Sequence, residues 1–193
     1  MVIKPPKLLF VLLSPSGNPG LDARMMYLRF LLVWLVVGFT LPVTAQFTDD
    51  FSDGDFTNAP TWTGESTLFL INGNNQLQTN GPAQSDTAYL RTGINLLFSD
   101  TITWEFWIDL GFNPSDNNRV QVYLTADQTD LTQALNGYYL RIGESGTSDA
   151  IKLYRQSGNT TSLLLTGMAN TYGTSPTLRV RVQRDPTGLW TIW

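Results

Sequence analysis

Residues 101–112 alternate without a break between apolar and other side chains. Every even-numbered position holds a large apolar residue, whereas the odd-numbered positions are polar or glycine, apart from Trp107. Because successive side chains of a β-strand point to opposite faces of the sheet, this period of two predicts a strand with one buried face. The even-numbered side chains are large enough to fill the space between two sheets, so the segment predicts a fold of two β-layers.

The chain after residue 46 repeats this period in shorter segments, which are separated by turn sequences rich in Gly, Asn, Asp, Ser and Pro. They predict strands at residues 67–71, 76–79, 87–92, 119–125, 138–143, 150–155, 162–165, 177–184 and 189–193. Many short strands at such spacing predict an all-β fold class, an antiparallel β-sandwich or jelly roll. The one helical candidate is residues 127–135, where Asp127 is placed to cap a short turn.

The N-terminal part of the chain has the pattern of an export signal. Arg29 precedes an apolar run over residues 30–41, and Ala45 ends a short segment suited to cleavage. The run is shorter than the roughly 20 residues that a membrane-spanning helix needs. We therefore expect residues 25–45 to be a cleaved signal peptide and the mature chain to be secreted or held at the cell surface, without a membrane span.

The export signal divides the chain into three parts. Residues 1–24 are expected to be a surplus leader or an over-called start, and residues 46–193 one β-sandwich module. The last predicted strand contains Trp190 and stops at Trp193, whereas the final residues of a domain usually fray into solvent. We therefore expect the module to be truncated at its C-terminus.

The composition excludes several functional classes. The chain has no cysteine and no histidine, which excludes disulfides, zinc sites built on Cys or His, and nucleophile–histidine catalysis. Its formal net charge of -4 is the opposite of what a nucleic-acid partner requires. The three arginines Arg179, Arg181 and Arg184 form a small basic cluster, which we expect to pair with the acidic majority rather than to bind phosphate.

The polar faces of the predicted strands carry a second pattern, of aromatic and charged side chains together. Aromatic rings stack on the apolar faces of sugars, while charged groups hydrogen-bond their hydroxyls. The candidate ligand-binding face consists of Glu105, Trp107, Asp109, Tyr123, Tyr139 and Arg141. The alternative is an ordinary solvated sheet face, on which such pairs only stabilise strand pairing.

Four acidic residues, Asp49, Asp50, Asp53 and Asp55, surround Gly54. Their carboxylates are the oxygen ligands that calcium accepts. An EF-hand loop beginning at Asp49 is excluded, because the third and twelfth positions fall on Phe51 and Pro60. Two alternatives stay open: a structural calcium ion, or an acidic turn in which Asp and Gly satisfy the backbone geometry. We expect no other cofactor.

Three segments carry a resemblance to a known family: residues 47–56 (FTDDFSDGDF), residues 137–155 with GYYLRIG and DAIKLYR, and residues 180–190 with VRVQRD and GLW. They resemble the concanavalin A-like (laminin G-like) jelly-roll modules of secreted Bacteroidota proteins, which often stand ahead of lamin-tail domains. Together with the export signal and the candidate face, the resemblance leads us to expect an exported, non-catalytic module that binds glycans or contacts cell-surface proteins. The alternative that it leaves open is a structural spacer in a multidomain surface protein.

A glycoside hydrolase is the remaining alternative, because laminarinase-type hydrolases share this sandwich and cleave with carboxylates in a pattern like E-x-D-x-x-E. Glu105 and Asp109 share a strand face, but Trp107 stands between them. At about 3.3 Å per residue their backbones lie roughly 13 Å apart. Retaining hydrolysis needs carboxyl groups about 5–5.5 Å apart and inversion about 6.5–9.5 Å. We therefore expect the chain not to be an enzyme.

Overall fold

The computed structural model describes residues 2–3, 47–82, 87–146 and 148–193, and of residues 2–3 only the backbone. The predicted signal peptide, residues 25–45, lies outside the described residues. Thr48–Trp193 belong to one compact unit. Within the described part of the chain, no helix has the length and apolar character needed to cross a bilayer.

The described strands have two or three residues before residue 100, and all but the last have seven or eight residues after it. They are β1 (Val2–Ile3), β2 (Thr63–Gly64), β3 (Phe69–Ile71), β4 (Leu77–Thr79), β5 (Leu90–Arg91), β6 (Ile102–Asp109), β7 (Val120–Ala126), β8 (Leu135–Ile142), β9 (Lys152–Gly158), β10 (Thr160–Thr166), β11 (Thr177–Arg184) and β12 (Trp190–Ile192). A single 3-10 turn, Ser66–Leu68, precedes β3.

These strands form antiparallel sheets, which confirms the all-β class. The large sheet has the order β12-β11-β6-β1-β4-β3, the small sheet has the order β10-β9-β8-β7, and β2 pairs with β5. The helix predicted for residues 127–135 is wrong, because this segment is a loop that leads into β8. Asp127 caps no helix; its carboxylate accepts a hydrogen bond from the backbone N–H of Asn136 at 2.7 Å and so closes the β7–β8 connection.

The alternation of residues 101–112 is confirmed in β6. Ile108 and Leu110 are fully buried, and Trp104 and Phe106 pack against them. One hydrophobic cluster draws on strands of both sheets, which means that the apolar stripes of both sheets meet in it. Its buried members are Ile108, Leu110, Val120, Leu124, Leu140, Ile142, Ile151, Leu153, Tyr172, Val180 and Val182.

A second, smaller cluster forms around the N-terminal loops of the module. Phe51, Phe69 and Leu77 are its buried members, and Trp62 packs against them. The indole Nε1–H of Trp62 donates to the carboxylate of Asp49 at 2.7 Å, which ties the start of the acidic segment to this cluster.

We predict that Leu140→Ala lowers the free energy of unfolding by about 2–5 kcal/mol, because it opens a cavity in the shared cluster at a side chain that is fully buried. Urea unfolding followed by tryptophan fluorescence measures this change. The matched control is Leu163→Ala at a leucine that is 50% exposed, for which we expect less than about 1 kcal/mol. Equal losses in the two variants would contradict the shared core.

Candidate functional site

The structure divides the predicted ligand-binding face between two surfaces. Glu105, Trp107 and Asp109 lie on β6 of the large sheet, whereas Tyr123, Tyr139 and Arg141 lie on β7 and β8 of the small sheet. On each sheet these side chains point away from the shared hydrophobic cluster, and we call these two sides the outer faces. The six residues therefore do not form one surface, and each outer face has to be assessed alone.

Three tyrosines form a row across the outer face of the small sheet. Tyr123, Tyr139 and Tyr154 are register partners on β7, β8 and β9. The ring centroid of Tyr139 lies 5.1 Å from that of Tyr123 and 5.3 Å from that of Tyr154. The rings of Tyr139 and Tyr154 are nearly parallel. Tyr139 is only 3% exposed as a result. Since both neighbours cover its ring, Tyr139 offers no free face on which a sugar could stack.

The polar groups around this tyrosine row are also engaged. The hydroxyl of Tyr123 donates to the side-chain oxygen of Gln156 at 2.7 Å. Arg141 donates through Nε to the backbone oxygen of Gly143 at 2.9 Å, and its Nη2 pairs with Asp116. Burial raises the pKa of the Tyr139 phenol above its ordinary value. The outer face of the small sheet is thus a packed layer, with its rings and arginine already partnered.

The outer face of the large sheet is built by the pairing of β6 with β11. Arg181 lies opposite Glu105 in the register, and Arg179 lies opposite Trp107. Both arginines bind the one carboxylate: Arg179 Nε donates to Oε1 at 2.8 Å and Arg181 Nε to Oε2 at 2.9 Å, and each adds a second contact through Nη2. The hydrogen bond from Arg179 is the main reason why the pKa of Glu105 lies below its ordinary value.

Trp107 is the aromatic part of this surface. Its ring is partly exposed, and the guanidinium carbon of Arg179 lies 5.9 Å from the ring centroid. On the other side of Trp107 along β6, the exposed Asp109 accepts a hydrogen bond from the hydroxyl of Thr177 at 3.2 Å. We call this surface the β6–β11 face; it consists of Glu105, Trp107, Asp109, Thr177, Arg179 and Arg181.

The expectation for the basic cluster is confirmed for two of its three members. Arg179 and Arg181 pair with Glu105, as described above. Arg184 instead lies over the ring of Phe98, with its guanidinium carbon 4.9 Å from the centroid, and donates to the backbone oxygen of Phe98. The sequence predicted that these arginines pair with acidic residues. It did not predict that Arg179 and Arg181 lie on the same face as Trp107.

The four acidic residues near the N-terminus each serve the local turn. The carboxylates of Asp49, Asp50, Asp53 and Asp55 accept backbone N–H groups two residues ahead, at distances of 2.6–3.1 Å. Among the described residues, no group of three or more acidic side chains is arranged to hold a metal ion. Of the two alternatives for this segment, the structure supports the acidic turn.

A depression of about 550 Å³ lies among the loops at one end of the strands. It is lined by Asn113, Pro114, Ser115, Asp116, Asn117, Glu144, Ser145, Gly146, Asp149, Gly173 and Thr174. Asp116 is bound by Arg141, and Glu144 is bound by Lys152. No aromatic ring stands among these residues, so the depression has no stacking surface for a sugar ring.

Comparisons with protein-family models, with curated proteins and with solved structures find no match for this chain. The resemblance to concanavalin A-like modules therefore stays an interpretation of the sequence. Any functional assignment has to rest on the geometry of the described residues.

We predict that Tyr139→Ala lowers the free energy of unfolding by about 3 kcal/mol, because it removes the ring that contacts both Tyr123 and Tyr154. Tyr139→Phe keeps the ring stack and should cost less than half as much, which makes it the matched control. Chemical denaturation measures both. A Tyr139→Ala variant as stable as the unsubstituted chain would show that the row does not stabilise the small sheet.

We predict a pH-dependent contribution to stability from Asp55. Hydrogen bonds, chiefly from the backbone of Thr57, lower its pKa to about 2 in the folded chain. A folded-state pKa below the ordinary value means that the charged form stabilises the turn above about pH 4, and that this contribution is lost as the pH falls toward about 2. Urea unfolding at about pH 5 and about pH 3 should therefore show a smaller drop in stability for Asp55→Asn than for the unsubstituted chain.

The same unfolding series tests the calcium alternative for the acidic segment. Because the carboxylates already accept hydrogen bonds within the turn, calcium should not move the unfolding midpoint at neutral pH. A midpoint that rises with calcium and falls with chelator, in the unsubstituted chain but not in Asp55→Asn, would contradict the assignment as a turn.

Proposed function

We propose that this chain is an exported, non-catalytic β-sandwich module of the concanavalin A-like type, which binds glycans or contacts the cell surface through its β6–β11 face. The observation that carries the proposal is the partly exposed ring of Trp107, flanked by two ion-paired arginines on one side and by Asp109 on the other. An aromatic ring beside fixed donors and acceptors is the combination that recognises a sugar ring and its hydroxyls.

The sandwich part of the proposal is supported by the core. Strands of the large and small sheets contribute to one buried cluster, which is how two face-to-face sheets pack. Its concanavalin A-like assignment is supported by the sequence motifs in residues 47–56 and 137–155. Export is supported by the sequence pattern of residues 25–45. Cleavage after Ala45 removes β1 from the large sheet, but β6 keeps its pairing with β11, which builds the proposed face.

The absence of catalysis is supported by the state of Glu105. A glycosidase needs an acid that holds its proton near neutral pH, so its pKa has to be raised. The two arginines do the opposite, because they stabilise the charged carboxylate and lower the pKa of Glu105. Asp109 stands four residues along the strand, with Trp107 between the two carboxylates. This arrangement suits binding better than bond cleavage.

A structural spacer in a multidomain surface protein is the second candidate. The packed tyrosine row and the partnered Arg141 favour it, because an outer face whose groups are satisfied within the module suits a domain that only holds its neighbours apart. A spacer function, however, does not explain why a partly exposed tryptophan lies next to two half-exposed arginines.

We predict that Trp107→Ala weakens glycan binding at least about tenfold, as is typical when an aromatic side chain at the centre of a contact is truncated. A glycan array identifies the ligand, and isothermal titration measures the affinity. The matched control is Phe98→Ala, because Phe98 is 44% exposed and also lies under an arginine, but stands outside the β6–β11 face.

Three outcomes would overturn this function. Equal binding by Trp107→Ala and the unsubstituted chain would remove the β6–β11 face. No retention of any glycan by the unsubstituted chain would favour the spacer. Hydrolysis of a β-glucan that disappears in Glu105→Gln would restore the glycoside hydrolase.

A further inference from the structure

The β6–β11 face carries more positive than negative charge at one end. The guanidinium groups of Arg179 and Arg181 share the single carboxylate of Glu105, and among the described residues no second side-chain carboxylate pairs with either of them. Two guanidinium groups on one carboxylate leave one positive charge uncompensated. In a chain whose formal net charge is -4, this local excess is the reverse of the overall balance.

The arginines also keep donors free for a ligand. Each of them turns Nε and Nη2 toward Glu105, and within the described residues neither Nη1 takes part in a hydrogen bond. The side chains of Arg179 and Arg181 are 48% and 52% exposed, whereas that of Glu105 is 16% exposed. Glu105 therefore fixes the two guanidinium groups from below, and their remaining N–H groups are available to an anion in solution.

The charges are distributed unevenly along the strand. Glu105, Trp107 and Asp109 follow one another on one side of β6, so each step is about 7 Å. Trp107 thus lies between the arginine end of the face and the carboxylate of Asp109. A ligand that fits this order has an anionic group at one end of a ring and hydroxyl groups at the other.

We propose that the ligand of the β6–β11 face is an acidic glycan that contains hexuronate units. Its carboxylate binds the free N–H groups of Arg179 and Arg181, its pyranose ring packs on Trp107, and Asp109 accepts hydrogen bonds from its hydroxyls. This inference rests on the proposed function, because it specifies the ligand class of the same face.

The experiment compares two probes that share their sugar rings and hydroxyl groups but differ in charge. The full chain is titrated with an oligogalacturonate and with its methyl-esterified form, which keeps the ring and the hydroxyls but has no carboxylate. We expect the acid to bind about tenfold more tightly than the ester at low salt, as one charge-assisted contact supplies. We expect this preference to shrink as salt is raised, because the arginines are exposed to solvent.

Arg181→Gln tests the role of the uncompensated charge. It leaves the pair of Arg179 with Glu105, so the Glu105 end of the face keeps one ion pair and loses its uncompensated positive charge. The preference for the acid over the ester should fall to about twofold or less. Arg184→Gln is the matched control, since Arg184 lies over Phe98 and should not affect either probe.

Failure of this inference and failure of the proposed function give different results. Equal affinities for acid and ester, or a preference that survives in Arg181→Gln, would overturn the acidic glycan while glycan binding itself stands. No binding of either probe or of any arrayed glycan would overturn both. Binding of polyglutamate as tightly as the oligogalacturonate, and unchanged in Trp107→Ala, would identify an acidic polypeptide as the partner instead. Thermal melting of each variant checks that it is folded.

Discussion

The pairing of β6 with β11 supports both the core and the proposed binding surface. Along Ile102–Asp109 and Thr177–Arg184, each side chain that enters the shared cluster alternates with one that faces outward. Val180 opposite Phe106 fills the core, and Arg181 opposite Glu105 builds the outer face. A shift of the register by one residue would expose the apolar set and bury the arginines. The burial of the core therefore holds the charged groups in position, without a separate device for the site.

The two outer faces differ in how their aromatic rings are packed, although both combine aromatic and charged side chains. On the small sheet, three tyrosine rings pack on one another in register, so that Tyr139 is as buried as a core residue. On the large sheet, Trp107 has an arginine rather than a second ring as its cross-strand partner. Ring-on-ring packing covers the stacking surface, whereas the guanidinium carbon of Arg179 lies 5.9 Å from the centroid of Trp107, and the ring stays partly exposed. This difference is why the site is assigned to the large sheet.

Local sequence pattern predicted the features that depend on neighbouring residues. The period of two in residues 101–112 identified the long strand and its buried face, because alternation is a property of a single strand. It could not predict that Glu105 and Tyr139 lie on different sheets, since strand order depends on contacts between distant segments. Likewise, Asp127 was expected to cap a helix; the capping pattern does not distinguish a helix start from a loop in which the same carboxylate accepts the N–H of Asn136.

The pairing of charges on the β6–β11 face also depends on contacts between distant segments of the chain. The sequence shows an acidic chain with a few arginines, which predicts that the arginines pair with acidic residues but not which ones. In the pairing of β6 with β11, Arg181 lies opposite Glu105, whereas Arg179 lies opposite Trp107 instead of an acid. Glu105 consequently serves two arginines. A chain that is acidic overall thus carries a local excess of positive charge around Glu105, because register, and not composition, decides which charges meet.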